Sequence, residues 1–259
     1  MLTVLSPAKS LDLDPAPEGL DHTTPALLGE TEKLVTTCRR QSVKKLMELM
    51  SISEKLATLN HERFAAWTAE HTPLNSKQAA LMFAGDTYRG LDAGSLSADE
   101  LAFGQDHLLI LSGLYGALRP LDLAQPYRLE MGSRLKTRWG DNLYKFWKDR
   151  ITNQVLDHLD GHEDSTLVNC ASNEYFSALQ RKKLSVLDVD FKEVRGDGRL
   201  QTISFFAKRA RGSMARWILQ NRVDVREAVK GFNLGGYTFQ VDLSDGDTYV
   251  FTRPHPNEH

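Results

Sequence analysis

A short apolar run at residues 108–111, followed by a long connection rich in glycine and proline, is the most constraining feature of the sequence. The run has the length and flanks of a buried β-strand, and it ends abruptly at Ser112-Gly113. Because glycine and proline fix turns and allow close backbone approach, we predict that the connection to Gly132 is an ordered loop. Ordered loops that leave a buried strand commonly carry binding residues, although the same residues would also suit a purely structural loop.

Two further apolar runs end in the same way. The first occupies residues 1–5 and breaks at SPAKS, residues 6–10; the second occupies residues 166–170 and opens into ASNEYF, residues 171–176. Ligands gather at the ends of strands in open α/β sheets. We therefore expect the polar residues after Leu5, Leu111 and Asn169 to lie near one another.

Alternation of apolar and polar residues predicts two β-hairpins. Residues 185–194 turn at RGDG into residues 200–206, and residues 237–243 turn at Asp245-Gly246 into residues 248–252. Helical spacing of apolar residues covers much of the rest, and the longest predicted helix spans residues 142–159. The sequence thus predicts an α/β fold with a central mixed sheet and two β-hairpins, surrounded by helices.

Composition excludes several classes of protein. A hydrophobic content of 41% and a charged content of 25% are ordinary for a soluble globular chain of 259 residues. No apolar run approaches the roughly 18 to 20 residues of a membrane span, and no leader segment is recognisable, so we expect a cytoplasmic protein. Cys38 and Cys170 are far apart without CxxC spacing, which predicts buried free thiols, and no metal or cofactor is predicted.

Positive charge is concentrated locally, although the formal net charge is only −2. Residues 198–223 contain no acid, and their six basic residues are Arg199, Lys208, Arg209, Arg211, Arg216 and Arg222. A local patch of this kind suits an anionic partner.

The segment LMSISEKLA, residues 49–57, resembles the helix-hairpin-helix motif of proteins that bind DNA with little sequence preference. In that motif a tight glycine-bearing turn presents backbone N–H groups to a DNA phosphate, and a lysine adds charge. Here Ser51 and Ser53 take the places of the glycines, Ile52 lies between them, and Lys55 supplies the charge. A plain helical hairpin in which Ser51 caps a helix explains the same residues.

Four segments together resemble the YaaA family of bacterial peroxide stress proteins. They are SPAKSLD at residues 6–12, LSGLYGALRPLDLAQPYRLEMG at 111–132, NCASNEYF at 169–176 and FFAKRARGSMARW at 205–217. The resemblance extends over essentially the whole chain. It implies a single compact α/β domain of unusual topology over residues 1–259, with a positively charged cleft and a helix-hairpin-helix element at about residues 43–67.

The same resemblance implies DNA binding and a role in limiting oxidative DNA damage, in part by lowering free intracellular iron. It implies no established catalytic residues. The expected partner is duplex or distorted DNA, with a small anionic ligand as a second one.

Convergence of the strand ends suggests one cationic cleft that binds DNA or another anion. The residues expected to line it are Lys9, Ser10, Tyr115, Arg119, Tyr127, Arg128, Asn173, Lys208, Arg211 and Arg216. Lysine and arginine would contact phosphates, and aromatic rings could stack on exposed bases.

Two other functions remain open at this point. An enzyme acting on a nucleotide, a damaged base or a phosphorylated small molecule could use acid, base and anion-stabilising groups in the same cleft, namely Glu130, Glu174, Tyr115, Tyr127, Lys9 and Lys208. No motif specifies a reaction. Direct iron binding would need the acids and histidines of residues 157–164, which are better explained as a solvated turn.

Overall fold

Five parallel strands form the centre of an eight-stranded mixed sheet in the computed structural model, which describes residues 1–256. The strands of the chain are β1 (Leu2–Leu5), β2 (Ser10–Leu11), β3 (Lys77–Gln78), β4 (Phe83–Ala84), β5 (Leu108–Ser112), β6 (Gly116–Leu118), β7 (Leu123–Ala124), β8 (Thr166–Cys170), β9 (Ser185–Val194), β10 (Leu200–Gln201), β11 (Thr238–Phe239) and β12 (Thr248–Pro254).

The helices surround this sheet and connect its parallel strands. They are α1 (Leu28–Arg39), α2 (Val43–Met50), α3 (Glu54–Ala66), α4 (Ala79–Met82), α5 (Asp86–Leu91), α6 (Ala98–His107), α7 (Leu143–Trp147), α8 (Asp149–Leu159), α9 (Asn173–Phe176) and α10 (Ser204–Gln220). Short 3-10 turns lie at Ala93–Ser95, Arg181–Lys183, Arg226–Gly231, Leu234–Gly236 and Val241–Leu243.

The strand order across the sheet is β11, β12, β9, β8, β1, β5, β6, with β10 paired to β9. Strands β12, β9, β8, β1 and β5 are parallel, while β6, β10 and β11 pair antiparallel with their neighbours. All residues of β1 and β5 are buried, as expected for strands covered on both faces. The predicted α/β class and the mixed central sheet with surrounding helices are confirmed.

Both predicted hairpins occur as antiparallel strand pairs, β9 with β10 and β11 with β12. Strands β10 and β11 are shorter than expected. Residues 204–206 belong to α10 rather than to a strand, and Val241–Leu243 form a 3-10 turn. The predicted long helix at 142–159 is divided at Lys148, whose φ of 41° ends α7 before α8 begins. A single residue with positive φ ends the helix here, although the sequence has no glycine or proline at this point.

Two glycines bring α5 and α10 into very close contact. A Cβ atom on Gly212 would lie 1.7 Å from the carbonyl oxygen of Thr87, and one on Gly90 would lie 2.1 Å from that of Arg209. Only hydrogen at these positions allows the two backbones to pack at this distance. The start of α5 is therefore held beside the first turns of α10.

Buried apolar side chains from the sheet and its helices form one contiguous cluster. No helix among residues 1–256 is long and apolar enough to cross a membrane. The single domain over residues 1–259 stays a prediction, and its last three residues lie outside the described part of the chain.

Candidate functional site

A pocket of about 580 Å³ opens at the carboxyl ends of β1 and β8, where the sequence places polar residues after two buried strands. Because Leu5 pairs with Cys170, the residues that follow the two strands are neighbours. The Ser6 hydroxyl accepts a hydrogen bond from the Ser172 backbone N–H at 2.8 Å, which joins the two strand ends. The pocket therefore occupies the position at which ligands bind in open α/β sheets.

Five of the ten residues expected in the cleft line this pocket. They are Lys9, Ser10, Asn173, Lys208 and Arg211, and they come from the loop after β1, the start of α9 and the first turns of α10. The remaining lining comes from the same loop after β1, the ends of β4 and β8, the starts of α5 and α9, and Glu130.

Glu130 provides a carboxylate that is only 13% exposed. Its Oε1 atom accepts hydrogen bonds from Arg128, at 3.0 Å from Nε and 2.9 Å from a terminal nitrogen, and lies 3.6 Å from Lys9 Nζ. Its Oε2 atom is buried and has no partner within residues 1–256. Gly113 allows the segment that carries Glu130 to pack close to the end of β5, because a Cβ on Gly113 would lie 2.2 Å from the Leu129 carbonyl oxygen.

The other two carboxylates of the pocket are engaged elsewhere. Glu174 Oε1 accepts a hydrogen bond from the Gly132 backbone N–H at 2.9 Å. Asp86 pairs with Arg89 at 3.1 Å, one turn along α5. Each acid of the pocket thus has a protein group that offsets its charge.

Lys208 and Arg211 differ from these acids, because within the described residues neither side chain forms an ion pair or a hydrogen bond. They lie one turn apart on α10, so both side chains reach the same wall of the pocket. Arg211 Nε is buried without a partner.

The lining carries three cationic and three acidic side chains, so the predicted positively charged cleft stays a prediction. The excess of unpaired positive charge is confined to the α10 wall. Glu130 and Glu174 were named as cleft candidates from the sequence, whereas Asp86, which the fold brings in from the start of α5, was not.

Tyr115 and Tyr127 are buried beneath the site and do not line it. The Tyr115 hydroxyl accepts hydrogen bonds from Trp67 Nε1 and the Gln125 backbone N–H, both at 3.0 Å. Tyr127 shares a hydrogen bond of 2.5 Å with the Ser112 hydroxyl. Burial raises the pKa of both phenols well above the ordinary value, so both remain protonated and structural.

Arg119 and Arg216 also lie outside the pocket, and both have structural partners. Arg119 forms an ion pair at 2.9 Å with Asp122, a fully buried carboxylate that its own backbone N–H also contacts. Arg216 donates to the carbonyl oxygens of Leu91 and Asp92 at 3.1 and 2.8 Å. It therefore satisfies carbonyl groups at the end of α5, as basic side chains commonly do there.

Arg128 acts on the pocket through Glu130 rather than by lining it. At the pocket floor, burial raises the pKa of the Cys170 thiol to about 12, so the thiol stays protonated and unreactive at neutral pH. Ser6 and Ser172 were not predicted as site residues, although small polar residues directly after a buried strand are the signal that could have found them.

The segment resembling a helix-hairpin-helix motif is a pair of helices, α2 and α3, joined by a short turn. Ser51 adopts the left-handed conformation at φ 51° and ψ 53°, and the Ser53 hydroxyl caps α3 by accepting from the Leu56 N–H. Ile52 is half-buried, and Lys55 is exposed in the first turn of α3. The sequence predicted the capping role for Ser51, but Ser53 fills it.

Within residues 1–256, no group of three or more histidine, cysteine, aspartate or glutamate side chains is arranged to hold a metal ion.

Comparison with known proteins gives the same assignment as the sequence segments. The family model described as peroxide stress protein YaaA matches residues 1–243. The chain belongs to the YaaA family. Similar relatives are UPF0246 proteins of three bacteria. The protein of Alteromonas mediterranea is 49% identical over the whole of both chains, and that of Caulobacter vibrioides is 51% identical over 99% of this chain and 100% of its own. The protein of Roseobacter denitrificans is 48% identical over 99% of each chain. The resemblance stated from the four segments is confirmed.

Proposed function

We propose that this YaaA-family protein binds duplex or distorted DNA, largely independently of sequence, through the turn between α2 and α3. The observation that carries the proposal is the backbone of Ser51. Its left-handed conformation, φ 51° and ψ 53°, is the one that glycine supplies in the helix-hairpin-helix motif. Serine at this position therefore keeps the tight turn that the motif requires.

The turn offers a phosphate two kinds of interaction. The first N–H groups of α3 have no carbonyl partner within the helix, and a helix start favours negative charge. Lys44, Lys45 and Lys55 are exposed on the two helices around the turn. Lys45 pairs with Glu48 at 2.9 Å, but exposed ion pairs are weak enough to exchange for a phosphate contact.

The proposal places the protein in the cytoplasm under peroxide stress, protecting DNA from oxidative damage and lowering free iron. The family description supports the stress role, while the resemblance of the sequence supports the effects on DNA and iron. Iron content of cells with and without the protein, measured after peroxide exposure, tests the second effect; equal iron content in both would contradict it.

A salt titration tests DNA binding at the hairpin. Fluorescence anisotropy of labelled duplex, branched and single-stranded DNA should show affinity that falls linearly with salt on logarithmic axes. Lys55→Ala should lower the slope by about 1, as expected for one lost phosphate contact. Lys182→Ala, which removes another exposed lysine, is the matched control and should leave the slope unchanged.

The turn itself can be tested separately. Ser51→Gly keeps the left-handed conformation and should retain DNA affinity, whereas Ser51→Val strains it and should reduce affinity. An isotherm that does not change between low and physiological salt, or equal effects of the two lysine variants, would contradict DNA binding at this turn.

A second candidate is an enzyme that acts on a nucleotide, a damaged base or a phosphorylated small molecule. One observation favours it: the pocket beside β1 and β8 combines opposite charges in a concave site instead of presenting an open positive groove.

A further inference from the structure

The α10 wall of the pocket carries cationic groups that the protein itself does not neutralise. Within residues 1–256, the side chains of Lys208 and Arg211 form no ion pair or hydrogen bond; Lys208 is exposed, whereas Arg211 Nε is buried. A buried polar group without a partner destabilises a protein by about 1–3 kcal/mol, and more when the group is charged. Such an arrangement is typical of a site whose partner is an exogenous anion.

The position of these two side chains is fixed by backbone packing. Gly90 and Gly212 let α5 and α10 pack so closely that a Cβ at either position would clash with the backbone of the other helix. Ligand binding therefore does not have to order the backbone that carries the two cations.

The opposite wall offers a hydrogen-bond acceptor. Glu130 Oε1 is bound by Arg128 and lies near Lys9, but Oε2 is buried and unpartnered. A carboxylate oxygen accepts hydrogen bonds, so Oε2 can take one from a hydroxyl or amino group.

The size of the pocket excludes a bare anion as its full occupant. About 580 Å³ lies within the range of roughly 300–1,000 Å³ that is typical of sites for organic ligands. A phosphomonoester presents two negative charges and several acceptor oxygens, which matches a paired lysine and arginine.

We propose that the pocket binds the phosphomonoester group of a small organic molecule, with Lys208 and Arg211 holding the phosphate and Glu130 Oε2 accepting a hydrogen bond from a hydroxyl or amino group of the same molecule. The inference deepens the second candidate function by naming the group that is bound, and it requires no reaction. It is separate from DNA binding at the α2–α3 turn, because no residue of that turn lines the pocket.

Calorimetric titration of the full-length protein tests the inference with four probes: inorganic phosphate, AMP, adenosine and a short 5′-phosphorylated single strand. AMP should bind more tightly than phosphate, and adenosine should bind at least tenfold more weakly than AMP. Binding of the phosphorylated strand in place of AMP would identify a DNA end as the source of the phosphate and would overturn the small-molecule assignment.

Arg211→Gln and Arg209→Gln form a matched pair on α10, since Arg209 is exposed and does not line the pocket. Arg211→Gln should weaken AMP binding at least tenfold and leave the DNA isotherm unchanged, while Arg209→Gln should change AMP binding less than twofold. Thermal unfolding of both variants checks that they fold, and Lys208→Gln provides a second variant on the same wall.

Absence of AMP and phosphate binding at millimolar concentration would overturn the inference, as would equal losses in the two arginine variants. Loss of both AMP and DNA binding in Arg211→Gln would place DNA in the pocket and contradict a small-molecule site. Loss of DNA binding in Lys55→Ala alone concerns the proposed DNA-binding turn, so the two proposals fail independently.

Discussion

Replacing Tyr115 with phenylalanine should destabilise the protein without affecting ligand or DNA binding. The side chain is fully buried, and its hydroxyl oxygen is the acceptor for Trp67 Nε1 and the Gln125 backbone N–H, both at 3.0 Å. Phenylalanine removes the oxygen, leaves these two donors without a partner and removes the 3.2 Å hydrogen bond between the hydroxyl and His71 Nε2. At about 1–3 kcal/mol for each unpaired buried donor, we expect a loss of about 3 kcal/mol in the free energy of unfolding.

Chemical denaturation at pH 7.5 or so, with intrinsic fluorescence as the signal, measures this loss, and thermal unfolding should show a midpoint lower by about 6–12 °C. Tyr144→Phe is the control, because its hydroxyl donates to the Glu174 carbonyl oxygen at an exposed position and its removal should cost less than about 0.5 kcal/mol. Equal stability of the two variants, or loss of AMP or DNA binding by a stable Tyr115→Phe protein, would refute the structural role.

Two further predictions concern the helix contact and acid stability. Gly212→Ala places a Cβ atom against the Thr87 carbonyl oxygen and should reduce the free energy of unfolding by about 2 kcal/mol or more. The control Gly29→Ala places its Cβ in open space on α1 and should be neutral or slightly stabilising. Equal denaturation midpoints for the two variants would contradict the close packing. Burial lowers the pKa of His71, so the unfolded chain binds more protons than the folded protein as the pH drops through the ordinary value of about 6.5, and the free energy of unfolding should fall there. In unfolding curves measured from pH 7.5 to 5, His71→Gln should reduce the dependence of this free energy on pH. An unchanged pH dependence would contradict the prediction.

The strands at the centre of the sheet were predictable because burial on both faces requires a continuous apolar run. Residues 108–111 and 166–170 satisfy this requirement, and both appear as β5 and β8 with similar bounds. The break at Lys148 was not predictable, because lysine has no intrinsic preference for a positive φ.

The pocket contains predicted residues that lie next to strand ends, but not predicted charges whose partners are local. Lys9 and Asn173 lie in the pocket because β1 and β8 are adjacent. Arg119 looked equally available, but Asp122 follows three residues later and is buried against it. Tyr115 lies outside the pocket, because its hydroxyl is held by Trp67 from another segment and by the Gln125 backbone ten residues later in the same loop.

The place of β1 in the middle of the sheet has a consequence for how the chain folds. Thr3 pairs with Leu108, and Leu2 pairs with Leu167, so β1 joins segments that lie far along the sequence. Closing such long loops carries an entropic penalty before any of the pairing can compensate for it. During synthesis β1 lacks at least one of its two neighbours, β5 and β8, until β8 has left the ribosome. We therefore expect slow refolding from denaturant and a nascent chain that exposes apolar strand edges to chaperones for most of its translation.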